Sequence, residues 1–163
     1  MTAGMPVPAR TMTPGHIADQ QAWVTYAPRG GSYKILAPLG WARTESGGKV
    51  TFANKLDGES VQVSSGACTA GDPRTTLSKM VLHSGAPVTD LRVGSIALPA
   101  GPAHLAEYQT TSREPATGKR VPVTANAYFL ERDGRCALIT FWSPVGAGNE
   151  AYWQETARSF RWR

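Results

Sequence analysis

A hairpin signal near the end of the chain constrains the fold more than any other feature. Asp133-Gly134 separates two strand-like runs, residues 125–132 and 136–142. An Asp-Gly pair readily adopts the positive φ angles that tight hairpin turns require. The second run is almost entirely apolar, which predicts a strand at the centre of a sheet and covered on both faces.

Further turn signals divide most of the chain into short strands. Gly47-Gly48 and Asp57-Gly58 each precede an alternating run, as expected of further hairpins. Seventeen glycines and twelve prolines among 163 residues also favour a strand-rich fold over a helical bundle. The remaining strands are predicted at residues 22–27, 33–37, 42–45, 49–53, 60–64, 91–98 and 103–111.

The first of two predicted helices spans residues 72–83. It opens with an Asp-Pro pair, in which the aspartate suits the N-cap and the proline suits the first helical position. Leu77, Met80 and Val81 recur at helical spacing and are predicted to form its buried stripe. Gly85 follows as the expected stop signal.

The second predicted helix closes the chain over residues 149–163. Asn149 suits its N-cap, and Trp153, Ala157 and Phe160 fall on one face. A helix with one aromatic face that follows a strand predicts a lid packed over the sheet.

Together these elements predict an α+β fold, an antiparallel β-sheet of about six to eight strands flanked by helices. Residues 22–163 are expected to form a single domain. Residues 1–21 are rich in Pro, Gly and Thr and are expected to be a flexible lead or linker, either after a signal or anchor or as a plain terminus. No run approaches the roughly 20 apolar residues of a membrane-spanning helix, so no span is predicted in this chain.

The chain is basic, with a formal net charge of +5 and a pI near 9.5. Such a balance suits an anionic partner such as nucleic acid, anionic lipid or a wall polymer, or simply a soluble surface rich in arginine. The basic residues are scattered, which disfavours nucleic acid. Their densest group, Arg158, Arg161 and Arg163, is a candidate partner surface because the lid does not need these side chains.

No catalytic, cofactor-binding or metal-binding motif stands out. His16, His83 and His104 lack metal-ligand spacing, and the carboxylates are dispersed or explained by turns. Gly118-Lys119 lacks the upstream glycine and the following Ser or Thr of a phosphate-binding loop. We therefore predict no catalytic residue, cofactor or metal and favour a non-enzymatic role, while a triad assembled in space stays open.

Two cysteines, Cys68 and Cys136, indicate the redox setting only in part. Their spacing matches no metal site, so they form either one disulfide or two small buried thiols. In an extracytoplasmic setting, a disulfide that closes a loop of this length would stabilise the fold by about 4 kcal/mol in the chain-entropy model.

Five tryptophans are many for this length, and they admit two interpretations. They could line an apolar ligand pocket between sheet and helix, with His104, Tyr108 and Tyr128 as its polar groups. Strand and helix periodicity already accounts for most of them, which favours packing in the core and the lid. The tryptophans are Trp23, Trp41, Trp142, Trp153 and Trp162.

Three segments together resemble a known family. Residues 39–56 open with Leu-Gly-Trp, residues 115–119 read Pro-Ala-Thr-Gly-Lys, and residues 159–162 read Ser-Phe-Arg-Trp. In this combination the chain resembles the actinobacterial lipoproteins and secreted proteins of the Mog1/PsbP-like, or LpqN-like, superfamily. These motifs are turn, lid and core residues and do not form a reaction centre.

The resemblance implies an α/β/α sandwich around an antiparallel sheet, and a location outside the cytoplasmic membrane, secreted or membrane-tethered. It also implies a non-enzymatic binding or accessory role, with a protein or cell-envelope component as partner. The alternative is a small-molecule binding protein or enzyme, with an aromatic pocket for a small hydrophobic ligand between sheet and helices. Residues 1–20 contain no lipobox cysteine, so lipidation is not carried over.

Overall fold

The computed structural model describes residues 16–18, 20–54, 58–114 and 117–163, which contain ten strands and two helices. No helix among these residues is long and apolar enough to cross a membrane. Each strand and helix predicted from the sequence has a counterpart here. In chain order the elements are β1 (Trp23–Tyr26), β2 (Tyr33–Pro38), β3 (Ala42–Ser46), β4 (Lys49–Ala53), β5 (Ser60–Ala67), α1 (Pro73–Leu82), β6 (Thr89–Leu98), β7 (Gly101–Arg113), β8 (Arg120–Arg132), β9 (Arg135–Pro144), α2 (Glu150–Ser159) and β10 (Arg161–Trp162).

The strands form two antiparallel sheets. The main sheet has seven strands in the order β3-β4-β5-β9-β8-β7-β6, which confirms the predicted α+β class and the central place of β9. The small sheet has the order β1-β2-β10, with Tyr26 opposite Ile35 and Trp162 opposite Tyr33. Sequence alternation marks a strand but not its partner, so it did not separate the two sheets.

One face of the main sheet packs against a layer formed by α2 and the small sheet. Trp153 stacks on Phe141 of β9 with ring centroids 4.9 Å apart, and Phe160 stacks on Tyr33 of β2 at 5.3 Å. Trp153, Ala157 and Phe160 are all buried, as predicted for the lid. The last predicted turn of this helix is instead the short strand β10, which extends the small sheet.

The opposite face of the main sheet is only partly covered, by α1. Leu77 and Val81 are buried in a cluster with Tyr108 of β7 and Phe129 of β8. Met80 is 41% exposed, so its predicted place in the buried stripe is wrong. The main contacts of the helix are with β6 and β7, and Leu138 and Trp142 of β9 are only partly buried at the edge of this cluster. Strand β9 was predicted to be covered on both faces, but it is fully covered only on the face that packs against α2.

The predicted cap and hairpin turns are confirmed at positions where a single residue determines the backbone conformation. The Asp72 carboxylate accepts a hydrogen bond from the Thr75 amide at 3.0 Å and caps α1 as predicted. Gly47 and Gly134 adopt φ angles of +60° and +78° in their hairpin turns. The predicted turn at Asp57, most of the lead and part of the 115–119 loop lie outside the described residues, which omit 1–15, 19, 55–57 and 115–116.

The segment before β1 is held by the loop that leads into α2. Ile17 is buried, and its amide donates a hydrogen bond to the side-chain oxygen of Asn149 at 2.8 Å. Nδ1 of His16 lies 2.8 Å from the carbonyl oxygen of Ala147. Asn149 occupies the N-cap position, but its side chain binds Ile17 and makes no capping bond. These contacts begin upstream of residue 22, where the sequence places the start of the domain.

In the structure Cys68 and Cys136 form a disulfide, with their Cα atoms 5.0 Å apart. The register of β5 against β9 places Gly66 opposite Cys136, so Cys68 follows just beyond the end of β5. The bond therefore joins the segment that leads from β5 into α1 to the central strand of the main sheet.

Phe160→Ala should lower the free energy of unfolding by about 3–5 kcal/mol, because this buried ring packs between Tyr33 and Trp162. Urea titration followed by circular dichroism measures the loss. Leu39→Ala removes a side chain that is 55% exposed, and it should change the unfolding free energy by about 0.5 kcal/mol or less. Equal losses in the two variants would contradict the lid role of Phe160.

Candidate functional site

A groove, which we call the α1 groove, runs along the uncovered half of the main sheet. Its volume is about 820 Å³. Strands β5 and β9 form its floor, and α1 forms one wall. The lining residues are Lys49, Gln62, Ser64, Thr69, Ala70, Thr76, Lys79, Met80, Val81, His83, Ser84, Tyr108, Ala127, Leu138, Thr140 and Trp142.

The register of β5 against β9 decides which side chains form the floor. Gln62 lies opposite Thr140, and Ser64 lies opposite Leu138. Successive side chains of a strand point to opposite faces, so these four share the α1 side while Val63 faces the core. The floor is therefore a mixed surface of polar and apolar side chains.

The apolar part of the groove is open to water. Leu138 and Trp142 are only partly buried, and Met80 of α1 is exposed beside them. Tyr108 forms the inner side and is itself buried under α1. Apolar side chains left accessible as a group are typical of interaction sites.

The charge of the groove has one sign. Lys49 lies at the β4 side, and Lys79 and His83 lie along α1. No aspartate or glutamate lines the groove within the part of the chain that the structure describes. An occupant with negative charge would therefore meet attraction here and no repulsion.

Burial raises the pKa of Tyr108 from its ordinary value of 10.0 to about 12. The phenol loses hydration under α1, which disfavours the charged phenolate. At neutral pH the side chain is therefore a neutral hydroxyl at the inner side of the groove, able to donate a hydrogen bond to an occupant.

The structure does not bring the predicted pocket residues together. Tyr108 lines the α1 groove, and His104 lies four residues earlier on the same face of β7. Nδ1 of His104 is buried and has no hydrogen-bond partner among the described residues. Tyr128 points to the opposite face of the sheet, where it packs edge-on against Phe141 at 5.7 Å.

The predicted arginine surface lies apart from the groove. Arg158 ends α2, and Arg161 and Arg163 follow in and after β10. All three side chains are exposed. Nη1 of Arg161 donates to the carbonyl oxygens of Arg158 and Phe160 at 2.6 and 2.8 Å, so this guanidinium partly serves the end of the helix.

Sequence reasoning missed most of the α1 groove. Gln62 and Thr140 carry no catalytic motif, and each is explained locally as a strand residue. Of the tryptophans that the sequence offered for a pocket, Trp142 lines the groove. One signal was available: the polar positions of β5 alternate with buried valines, which marks one face as incompletely covered. Met80 was assigned to the core because helical spacing does not show how far a sheet extends beneath a helix.

One group of potential metal ligands is close together among the described residues. Atoms of Cys68, Glu131 and Cys136 lie within 4.8 Å of one another. The two sulfurs are bonded to each other and lack the thiolate charge that binds metals. This group therefore does not form a metal site in the oxidised protein.

The architecture defines the class of the protein: a main antiparallel sheet between α1 and a layer of α2 with a small sheet is the Mog1/PsbP fold. This confirms the fold that the resemblance implied. No protein-family model matches the sequence, and a comparison with curated proteins found no match. The narrower assignment to actinobacterial lipoproteins stays a prediction.

Three solved structures illustrate the likeness. Cyanobacterial PsbP (CyanoP) from Synechocystis sp. PCC 6803 has a TM-score of 0.64 and 16% identity, over 91% of this chain and 98% of its own. The Saccharomyces cerevisiae Ran-binding protein Mog1p has a TM-score of 0.59 and 11% identity, over 86% and 95%. Protein PA94 of Pseudomonas aeruginosa has a TM-score of 0.52 and 15% identity, over 84% and 94%. At these identities the likeness shows the fold alone.

Tyr108→Phe should flatten the loss of stability at alkaline pH. The folded-state pKa of Tyr108, about 12, lies above its unfolded value of 10.0, so its contribution is present below pH 10 and is lost as the pH rises towards 12. Urea titrations at a series of pH values should show about 2–3 kcal/mol more loss in the wild type than in the variant. Parallel curves for the two proteins would contradict the shift.

Proposed function

We propose that this chain is a non-enzymatic binding module that holds an acidic, apolar segment of a protein partner in the α1 groove. The observation that carries the proposal is the partly covered face of the main sheet, where Met80, Leu138 and Trp142 are accessible beside two lysines. The module comprises residues 22–163, and Ile17 of the 1–21 lead packs against it.

The shape of the groove favours a protein segment over a small molecule. Pockets for small ligands commonly enclose 70–90% of the ligand surface. The α1 groove has a sheet for a floor and one helix for a wall, and Met80 at that wall is 41% exposed. An extended or helical segment can lie along such a surface and bury its own apolar face.

The charges of the groove specify the chemistry of the segment. Lys49, Lys79 and His83 lie around an apolar floor, without a lining carboxylate among the described residues. A segment with leucine-like side chains on one face and glutamates beside them would satisfy both features. Charge of this kind steers association and sets specificity more than it adds affinity.

Two further observations support the proposal, one concerning location and one concerning protein binding. A disulfide such as that between Cys68 and Cys136 persists mainly in oxidising compartments. Mog1p is described as a Ran-binding protein, so the same fold presents a protein-binding surface in at least one other chain. That comparison is an analogy of fold, and the location and partner of this chain belong to the proposal.

A fluorescein-labelled peptide with leucine and glutamate at helical spacing should bind the protein, as measured by fluorescence anisotropy. Met80→Glu should weaken this binding by about tenfold, because it removes an apolar contact and adds a repelling charge. Leu39→Glu makes the same kind of change at an exposed leucine that does not line the groove, and it should alter the affinity by less than about twofold.

Three results would overturn the proposed function. Equal losses of peptide affinity in Met80→Glu and Leu39→Glu would show that the peptide does not bind in the α1 groove. Equal affinity for a peptide with lysine in place of glutamate would contradict the proposed preference for an acidic segment. Saturable binding of laurate without any binding of the acidic peptide would replace the protein partner by a small apolar ligand, which is the alternative function.

Thiol trapping tests the proposed location and does not require the partner to be identified. Alkylation of the denatured natural protein, rapidly quenched from its own cells, should modify neither Cys68 nor Cys136 unless a reductant is added first. Mass spectrometry counts the modified thiols. Two freely alkylated cysteines before reduction would contradict a location in an oxidising compartment.

A further inference from the structure

A second cavity, which we call the glycine-lined cleft, lies where turns of the two sheets meet. Its volume is about 580 Å³. The β1–β2 turn, the β3–β4 turn, the end of β5 and the β8–β9 turn surround it. Six of its lining residues are glycines: Gly30, Gly31, Gly47, Gly48, Gly66 and Gly134.

Four of these six glycines have no protein atom where a side chain would lie. A Cβ at Gly30, Gly66 or Gly134 would meet no atom within 4 Å, so the space in front of each backbone is empty of protein. At Gly48 a Cβ would lie 2.3 Å from the carbonyl oxygen of Ser65, so only glycine lets the β3–β4 turn approach β5 this closely. A ligand can therefore come close to the cleft walls.

Three cations line the cleft without an internal partner. Arg29 belongs to the β1–β2 turn, Lys49 begins β4 and Arg135 begins β9. All three are exposed, and no ion pair or hydrogen bond joins their side chains to another residue in the described parts of the chain. One turn and two strands thus bring like charges to one cavity, which an anion would stabilise.

Glu45, the one carboxylate among the described lining residues of the cleft, is already engaged. Oε1 of Glu45 accepts a hydrogen bond from the Tyr26 hydroxyl at 2.8 Å and lies 3.6 Å from Nε of Arg43. The guanidinium of Arg43 also lies over the Tyr26 ring, 5.7 Å from its centroid. Glu45 therefore offsets Arg43 and leaves the charges of the other three cations uncompensated.

Two aromatic side chains close the back of the cleft. Tyr26 and Tyr33 are both buried and line it from β1 and β2. Burial, with the Glu45 hydrogen bond as a second cause, raises the pKa of Tyr26 to about 12, and burial also raises the pKa of Tyr33. Both phenols are neutral near pH 7, so they add apolar surface and no negative charge.

We propose that the glycine-lined cleft binds a small organic anion with clustered oxygens, phosphate or carboxylate, held by Arg29, Lys49 and Arg135. Guanidinium groups bind such oxygens through paired, charge-assisted hydrogen bonds. The volume suits an organic molecule of several atoms more than a lone ion, and the accessible edge of Tyr26 can contact its carbon frame. This site is distinct from the α1 groove, although Lys49 lines both.

Isothermal titration calorimetry with pyrophosphate and with citrate tests the cleft. The wild type should bind at least one probe saturably, and Arg29→Glu/Arg135→Glu should weaken that binding by about tenfold or more, since two charge-assisted contacts become repulsive. The matched control is Arg113→Glu/Lys119→Glu, which makes the same change of net charge at exposed positions outside the cleft. It should change the affinity by less than about threefold, because charges far from the cleft act on the anion only through long-range electrostatics that salt screens.

The two probes separate the sources of the anion. Binding of pyrophosphate alone assigns the cleft to phosphates, and binding of citrate alone assigns it to carboxylates. Absence of saturable binding of either probe, or an equal loss in the cleft variant and the control, overturns the proposal. Lys49 is left unchanged, so the cleft variant should still bind the acidic peptide in the α1 groove, and the two proposals can fail separately.

Amide NMR spectra of the wild-type protein test the proposal even if the charge-reversal variant does not fold. Addition of the bound probe should shift the amide resonances of the cleft glycines, with Gly85 and Gly94 as glycines outside the cleft that should not move. Arg29→Gln/Arg135→Gln, which removes the charges without reversing them, should abolish these shifts. Shifts confined to other surfaces would overturn the assignment.

Discussion

The contact between the central strand β9 and the closing helix α2 holds the two main layers together. Phe141 stacks on Trp153 with ring centroids 4.9 Å apart, and the indole Nε1 of Trp153 donates to Oγ of Ser143 at 2.8 Å. The same hydroxyl accepts from Nδ2 of Asn149 at 3.1 Å. A large aromatic area is thus buried with its polar atoms satisfied, which makes the α2 side a closed core.

The α2 face of the main sheet is fully covered, whereas the opposite face is covered only by the short helix α1. An α-helix is about 10 Å across with its side chains, whereas seven strands at a spacing of about 4.8 Å span roughly 30 Å. One helix therefore covers only about two strands, and α1 lies on β6 and β7. The half above β5 and β9 stays open, and its smaller and more polar side chains, such as Gln62 and Ser64, tolerate water there.

The two candidate sites arise at places where this architecture is incomplete. The α1 groove is the uncovered part of a sheet face, and the glycine-lined cleft is the gap between the turns of two sheets. Lys49 lies between them and lines both. Proteins with 11–16% identity share the fold, so packing of this kind tolerates wide change of sequence.

The amino-acid sequence alone determined every strand except β10, together with the hairpin turns and the aromatic lid, because alternation, Asp-Gly or Gly-Gly pairs and helical spacing act within a few residues. It also named Tyr108 and Trp142 as candidate pocket residues, and the structure places both along the α1 groove. Only the tertiary structure separated the small sheet, exposed Met80, and turned Tyr128 away from Tyr108 and His104. The physical reason is that periodicity specifies which face of an element is apolar, while the width and placement of the opposing layer decide how much of that face is covered.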